Sequence, residues 1–165
     1  MGRRAGLFRP AAFALLLALL PAARQACAQT VIVLTNTRGL DFGRFAAGTG
    51  GTVTLNAATG ARTRTGSVIL LNSPGAVQAT YNVAKSKNGN VGQTVAITLP
   101  ANNTVQLSSG ANRMYVNDFL ASPATIASVP NGSGLVLSVG ATLVVGSGQP
   151  AGTYSGSYNI TVNYQ

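Results

Sequence analysis

Residues 152–165 read GTYSGSYNITVNYQ, and the pattern of this stretch predicts the fold class. From Ser157 onward, apolar or aromatic residues alternate with small polar residues without a break. A period of two, with β-branched and aromatic side chains on one face, is typical of a half-buried β-strand. The stretch therefore predicts a strand whose inward face carries Tyr158, Ile160, Val162 and Tyr164.

Short alternating runs of the same kind recur along the chain, separated by turn residues. Gly, Ser, Thr, Asn, Ala and Val dominate, as in chains of short strands and tight turns. The Asn88-Gly89 pair favours a hairpin, and Arg62 and Arg64 share one face of a further short strand. About ten strands predict one all-β domain, an antiparallel β-sandwich. The predicted strands, besides the last, are residues 30–35, 40–45, 52–56, 67–72, 77–84, 91–99, 104–107, 113–120 and 135–145.

Residues 1–28 have the order of a secretory signal peptide. Three arginines precede an unbroken apolar run over residues 11–20, and the small-residue site Ala26-Cys27-Ala28 follows. The run is shorter than the roughly 20 residues that span a bilayer. We expect cleavage after Ala28, with Ala26 and Ala28 as the recognition residues. The mature chain is then exported, passes through the periplasm to the cell surface or medium, and has no transmembrane segment.

Cys27 offers an alternative, as the acylated residue of a lipoprotein. Arg24 and Gln25 precede it, whereas that processing site requires apolar or small residues. Cleavage after Ala28 is therefore favoured, and it leaves residues 29–165 without a cysteine.

The chain is basic, with a formal net charge of +9 from 11 basic and 2 acidic residues. Four of the basic residues lie in the predicted signal, so seven basic and two acidic residues remain and the net charge falls to about +5. Export and scattered charge argue against nucleic-acid binding. We interpret Arg62, Arg64, Lys85 and Lys87 as solvated charges that discourage sheet-edge aggregation; the alternative is a patch for polysaccharide or a neighbouring subunit.

The mature composition argues against an enzyme. It contains no His, Glu, Cys or Trp, and its only carboxylate side chains are Asp41 and Asp118. Acid–base chemistry usually draws on His, Glu or Cys, and two Asp make a poor transition-metal site. We expect no catalytic residue, no metal and no cofactor; Asp41 instead fixes a turn. An enzyme would require Asp41 and Asp118 in one cleft.

Aromatic side chains are expected in the core with hydroxyls at its rim: Tyr81, Tyr115, Phe119, Tyr154 and Tyr158.

The C-terminal strand resembles that of subunits assembled by the bacterial chaperone–usher pathway. Those subunits carry a Gly fourteen residues from the end, then alternating apolar residues and a penultimate Tyr. Gly152 and Tyr164 hold those two positions here, and the residues in phase between them are Tyr154, Tyr158, Ile160 and Val162. Many pilins also carry a disulfide, which this mature chain cannot form.

Three further stretches resemble a secreted, pilin-like bacterial family catalogued as a domain of unknown function, and more distantly the spore coat U proteins. They are LDFGRF (40–45), TGSVILLNSPGAVQATYNV (65–83) and QPAGTYSGSYNITVNY (149–164).

This resemblance implies an immunoglobulin-like sandwich that lacks one strand beside its C-terminal strand. A periplasmic chaperone fills the groove first, and the N-terminal extension of the next subunit then replaces it by strand addition. The implied function is a structural subunit of a surface fimbria or coat, with like subunits, a periplasmic chaperone and an outer-membrane usher as partners. Residues 29–38 would be the donor extension and 39–165 the domain. The donor residues would be Val31, Ile32, Val33 and Leu34.

The same segment also suits the first strand of a complete sandwich, paired within its own chain. The protein would then be a monomeric secreted binding or coat protein. The sequence leaves both alternatives open.

Overall fold

The computed structural model describes residues 31–85, 94–130 and 134–165, together with Gly2. Within these ranges the regular structure is β-strand, and every pairing is antiparallel, which confirms the all-β prediction. The same ranges contain no helix with the length and apolar character of a membrane span. The strands are β1 (Ile32–Arg38), β2 (Phe45–Ala46), β3 (Gly51–Leu55), β4 (Arg62–Gly66), β5 (Ile69–Leu70), β6 (Ala79–Lys85), β7 (Val95–Thr98), β8 (Val105–Ser109), β9 (Asn112–Ser122), β10 (Leu135–Val145) and β11 (Thr161–Tyr164).

Strand β10 is the centre of a seven-stranded sheet that curls into a half-barrel. Its first half pairs with β6 and its second half with β3, while β9 pairs along the other edge. Gly140 lies where the two partners meet, and a Cβ there would collide with the Leu55 carbonyl. The alternation of β10 places every second side chain, from Leu137 to Val145, in the core.

The core is mainly aliphatic and is built largely by the strands of this sheet. Its fully buried members include Val53 and Leu55 on β3 and Leu137, Val139 and Leu143 on β10. No polar or charged side chain is buried among the described residues. Burial of these alternating positions is the main stabilising contribution that the sequence pattern predicts.

Beyond β1, the chain makes short, interrupted pairings instead of one continuous strand. After β1, an isolated bridge joins Asp41 to Val77, and β2 then pairs with β5. The predicted continuous strand over 40–45 is therefore wrong. Gly43 adopts a φ of 72°, and its N–H donates to Asp41 Oδ1 at 2.7 Å, which interrupts the extended backbone. The expected turn at Asp41 is confirmed by the same bond.

Strand β4 forms one edge of the large sheet, and its two arginines lie on the same face of the sheet. Arg62 and Arg64 stand opposite the buried Leu55 and Val53 in register, so this is the face that carries those two core side chains. Arg62 donates to the carbonyls of Phe42 (3.1 Å), Arg44 (3.3 Å) and Leu71 (2.6 Å). The interpretation of Arg62 as a solvated charge is therefore wrong, whereas Arg64 is exposed.

The C-terminal segment follows the predicted alternation. From Ser157 to Tyr164, exposed residues alternate with half-buried ones without exception. Only its last four residues form a ladder, with β7, and Ser155 makes an isolated bridge to Ser108 of β8. The predicted signal peptide with Ala26 and Ala28, and the Asn88-Gly89 hairpin, lie outside the described residues.

Candidate functional site

The first and last strands of the chain run beside each other without sharing a sheet. β1 pairs with β6, and β11 pairs with β7. Cα atoms of β1 and β11 nevertheless approach within 8 Å. We call the boundary between residues 32–47 and 149–164 the terminal-strand groove.

Apolar side chains of both terminal strands pack against the core. Ile32 and Leu34 of β1 are half-buried and pack on the core. The same holds for the inward face predicted for the last strand, namely Tyr158, Ile160, Val162 and Tyr164. The four predicted donor residues therefore lie at or in β1: Val31 directly precedes it, and Leu34 stands opposite Val83 of β6 in the same chain.

At one end the groove opens into a cleft of about 1450 Å³. Residues 38–47, 73–78 and 149–156 contribute most of its lining, which reaches the core at Leu107, Met114 and Leu143. Met114 and Leu143 are 3% and 1% exposed, so the floor of the cleft is the hydrophobic core itself. A cleft whose deepest part meets the hydrophobic core suits an extended peptide whose alternate side chains point inward.

The turn before the last strand is fixed by side-chain hydrogen bonds. The Gln149 amide donates to the Tyr154 hydroxyl at 2.9 Å, and that hydroxyl donates to the Pro150 carbonyl at 2.8 Å. Gly152 lies against β8, because a Cβ there would be 2.7 Å from Ser109 Oγ. Gly152 and Tyr154 thus shape this side of the cleft, whereas the penultimate Tyr164 is not part of its lining.

An aromatic cluster anchors the segment that leads into β11. The Phe119 and Tyr158 ring centroids lie 5.1 Å apart, and Tyr81 donates to the Tyr158 hydroxyl. Burial, together with the neighbouring Tyr81 hydroxyl, raises the pKa of Tyr158 far above its ordinary range. Phe119 lies in the core and Tyr81, Tyr154 and Tyr158 pack against it, as expected. Tyr115 is 40% exposed, so the expected core position is wrong for this residue.

The backbone of β11 has one edge that does not face β7. Gln165 N–H donates to the Thr94 carbonyl, so the N–H groups of Asn163 and Thr161, in phase with it, also face β7. Those of Val162 and Tyr164 point the opposite way. In addition, the Tyr164 hydroxyl is buried without a hydrogen-bond partner among the described residues. An orphaned buried hydroxyl costs about 1–3 kcal/mol.

The two carboxylates serve separate local structures. Asp41 accepts from Gly43, as above, whereas Asp118 accepts from the Asn102 amide at 3.0 Å. Asp118 also adopts a φ of 50° within β9. Among the described residues, no three acidic, His or Cys side chains gather in a group able to hold a metal ion.

A family model matches the chain over residues 32–164, from the first residue of β1 to the last residue of β11. The chain belongs to the domain of unknown function family DUF4402. The resemblance to a family catalogued as a domain of unknown function agrees with this match, while the likeness to chaperone–usher subunits stays a prediction. No curated protein and no solved structure matches the chain. The DUF4402 match includes both sides of the terminal-strand groove.

Proposed function

We propose that this chain is an exported structural subunit of a surface fimbria or coat, assembled by donor-strand complementation. In this proposal the curled sheet and the β7–β11 pair form an immunoglobulin-like, pilin-like sandwich. The terminal-strand groove accepts an extended segment from a neighbouring protein. Main-chain hydrogen bonds to the edge of β11 supply affinity, and alternate side chains enter the cleft.

The observation that carries this proposal is the groove itself. Two neighbouring strands belong to separate sheets, and the cleft between their continuations has the buried Met114 and Leu143 on its floor. An added strand would pair with the outer edge of β11 and cover apolar surface, which is the dominant favourable term in association.

Two other sheet edges, β4 and β8, are protected, whereas β1 beside the groove is not, and this contrast supports the same proposal. β4 carries Arg62 and Arg64, and charged side chains on an edge strand discourage edge pairing. β8 is bridged at Ser108 by Ser155. β1 has no charged residue before Arg38, and its outward face exposes 43% of Val33. An apolar, uncharged edge strand is prone to pair with another chain.

The test is a substitution on the groove face of the last strand. Ile160→Asp places a carboxylate on the half-buried face, and we expect assembly to be abolished. Asn159→Asp, on the exposed face one residue earlier, is the matched control and should assemble. Assembly is measured by sedimentation and electron microscopy of exported protein, and circular dichroism verifies folding. If Ile160→Asp does not fold, Val162→Thr replaces it. Normal assembly of a folded groove variant would contradict the proposal.

A second candidate function is a self-complete, monomeric secreted binding or coat protein. The in-chain register of β1 with β6, from Ile32 opposite Lys85 to Arg38 opposite Thr80, favours it. A peptide copying residues 29–37 separates the two candidates. A cooperative monomer whose thermal unfolding and elution ignore the peptide supports the second candidate, and stabilisation by the peptide supports the first.

A further inference from the structure

The rim of the cleft carries an excess of positive charge. Arg38, Asp41 and Arg44 line it, which gives two guanidinium groups against one carboxylate. Asp41 already accepts from the Gly43 N–H at 2.7 Å. Both arginines are exposed, and neither guanidinium has an ion-pair or hydrogen-bond partner within the described part of the chain.

The third arginine near this rim has a different role. Arg62 is held by three backbone carbonyls, two of which belong to Phe42 and Arg44 of the rim. Its bonds fix the backbone that presents Arg44, while its own guanidinium is not part of the cleft lining. The cleft thus combines an apolar floor with two available cations on a fixed rim.

The chain's own N-terminal segment does not complement this charge. Residues 29–37, QTVIVLTNT, contain no Asp or Glu. The whole chain has only two acidic residues, so a second copy has little negative charge to offer. Complementary potentials at an interface select partners and raise the rate of association.

We propose that the cleft prefers a strand from a different, acidic protein over a strand from a second copy of this chain. This inference rests on the proposed function. The preferred segment alternates apolar residues, which enter toward Leu107, Met114 and Leu143, with Asp or Glu residues, which meet Arg38 and Arg44. The partner is a protein strand with this alternation.

The experiment compares matched peptides on the exported chain by fluorescence anisotropy. One peptide copies residues 29–37 with Val33→Asp and Thr35→Asp, and its control carries Val33→Asn and Thr35→Asn. We expect the Asp peptide to bind about five- to tenfold more tightly at low salt, as two partly exposed ion pairs imply. High salt should reduce the difference. The double variant Arg38→Gln, Arg44→Gln should abolish it, whereas Arg64→Gln, Arg113→Gln, outside the cleft, should retain it.

Two other outcomes distinguish failure of the charge preference from failure of strand acceptance. Equal binding of the Asp and Asn peptides, or a preference that survives loss of Arg38 and Arg44, would overturn this inference and leave strand acceptance intact. Binding of neither peptide, nor of the unmodified one, would overturn strand acceptance and this inference with it.

Discussion

The hydroxyl of Tyr81 donates a hydrogen bond to the hydroxyl of Tyr158 across 3.0 Å. Tyr81 lies on β6 of the large sheet, and Tyr158 lies in the segment that leads into β11. The bond therefore ties the segment before β11 to the large sheet, and Phe119 packs on the Tyr158 ring beside it. This anchor holds one side of the terminal-strand groove in place.

Tyr158 should make the fold sensitive to alkali. Its pKa is raised from 10.0 in the folded chain, first by burial and then by the neighbouring Tyr81 hydroxyl. The unfolded chain therefore loses this proton first, so the contribution to stability is constant below pH 10 and falls as the pH rises above it. Tyr158→Phe should weaken that alkaline fall and lower stability at neutral pH by about 1 kcal/mol. Urea unfolding between pH 7 and 11 measures both effects; an unchanged alkaline slope would contradict the assignment.

Arg62 and Arg64 offer a matched pair on one strand. Arg62→Ala leaves three carbonyls without their donor and should lower the free energy of unfolding by about 1–3 kcal/mol. Arg62→Lys should recover only part of the loss, because an ammonium lacks the planar fork. Arg64 is exposed and donates only to Gly66, two residues away, so Arg64→Ala should stay within about 0.5 kcal/mol. Equal losses of stability at the two positions would contradict a stabilising role for the three Arg62 hydrogen bonds.

Gly156 should be intolerant of a side chain. A Cβ there would collide with the Gln106 carbonyl and lie 3.1 Å from Leu107 Cδ2, so the last segment could not keep its approach to β8. We expect Gly156→Ala to lower stability by about 1–3 kcal/mol. Gly39 has nothing within 4 Å of its Cβ position, and Gly39→Ala is the control, with a change within about 0.5 kcal/mol. Thermal unfolding measures both, and an unaffected Gly156→Ala would contradict the packing.

Periodicity predicts those strands that bury one face against the core. The bounds of β10 agree with the prediction, and so does the alternation over residues 157–164, because each inward residue there is apolar. β4, with the sequence RTRTG, contains no apolar residue, since it is an edge strand whose positions opposite Leu55 and Val53 are arginines. It was inferred only from the spacing of Arg62 and Arg64.

The arrangement of the groove could not be predicted in the same way. Nothing local in β1 reveals that its partner is β6, or that β10 divides its edge between β6 and β3. The contacts of Arg62 with Phe42 and of Tyr81 with Tyr158 join residues far apart in sequence. Such contacts depend on topology, which propensity does not encode.

Hydrogen exchange at β11 tests the central claim most directly. Amides of the exported chain are followed by NMR alone and with the Asp-containing peptide described above. If the groove accepts a strand, Val162 and Tyr164, whose N–H groups point away from β7, become protected when the peptide binds. Thr161 and Asn163, which face β7, change little. Unchanged exchange at Val162 and Tyr164 under saturating peptide would contradict the account.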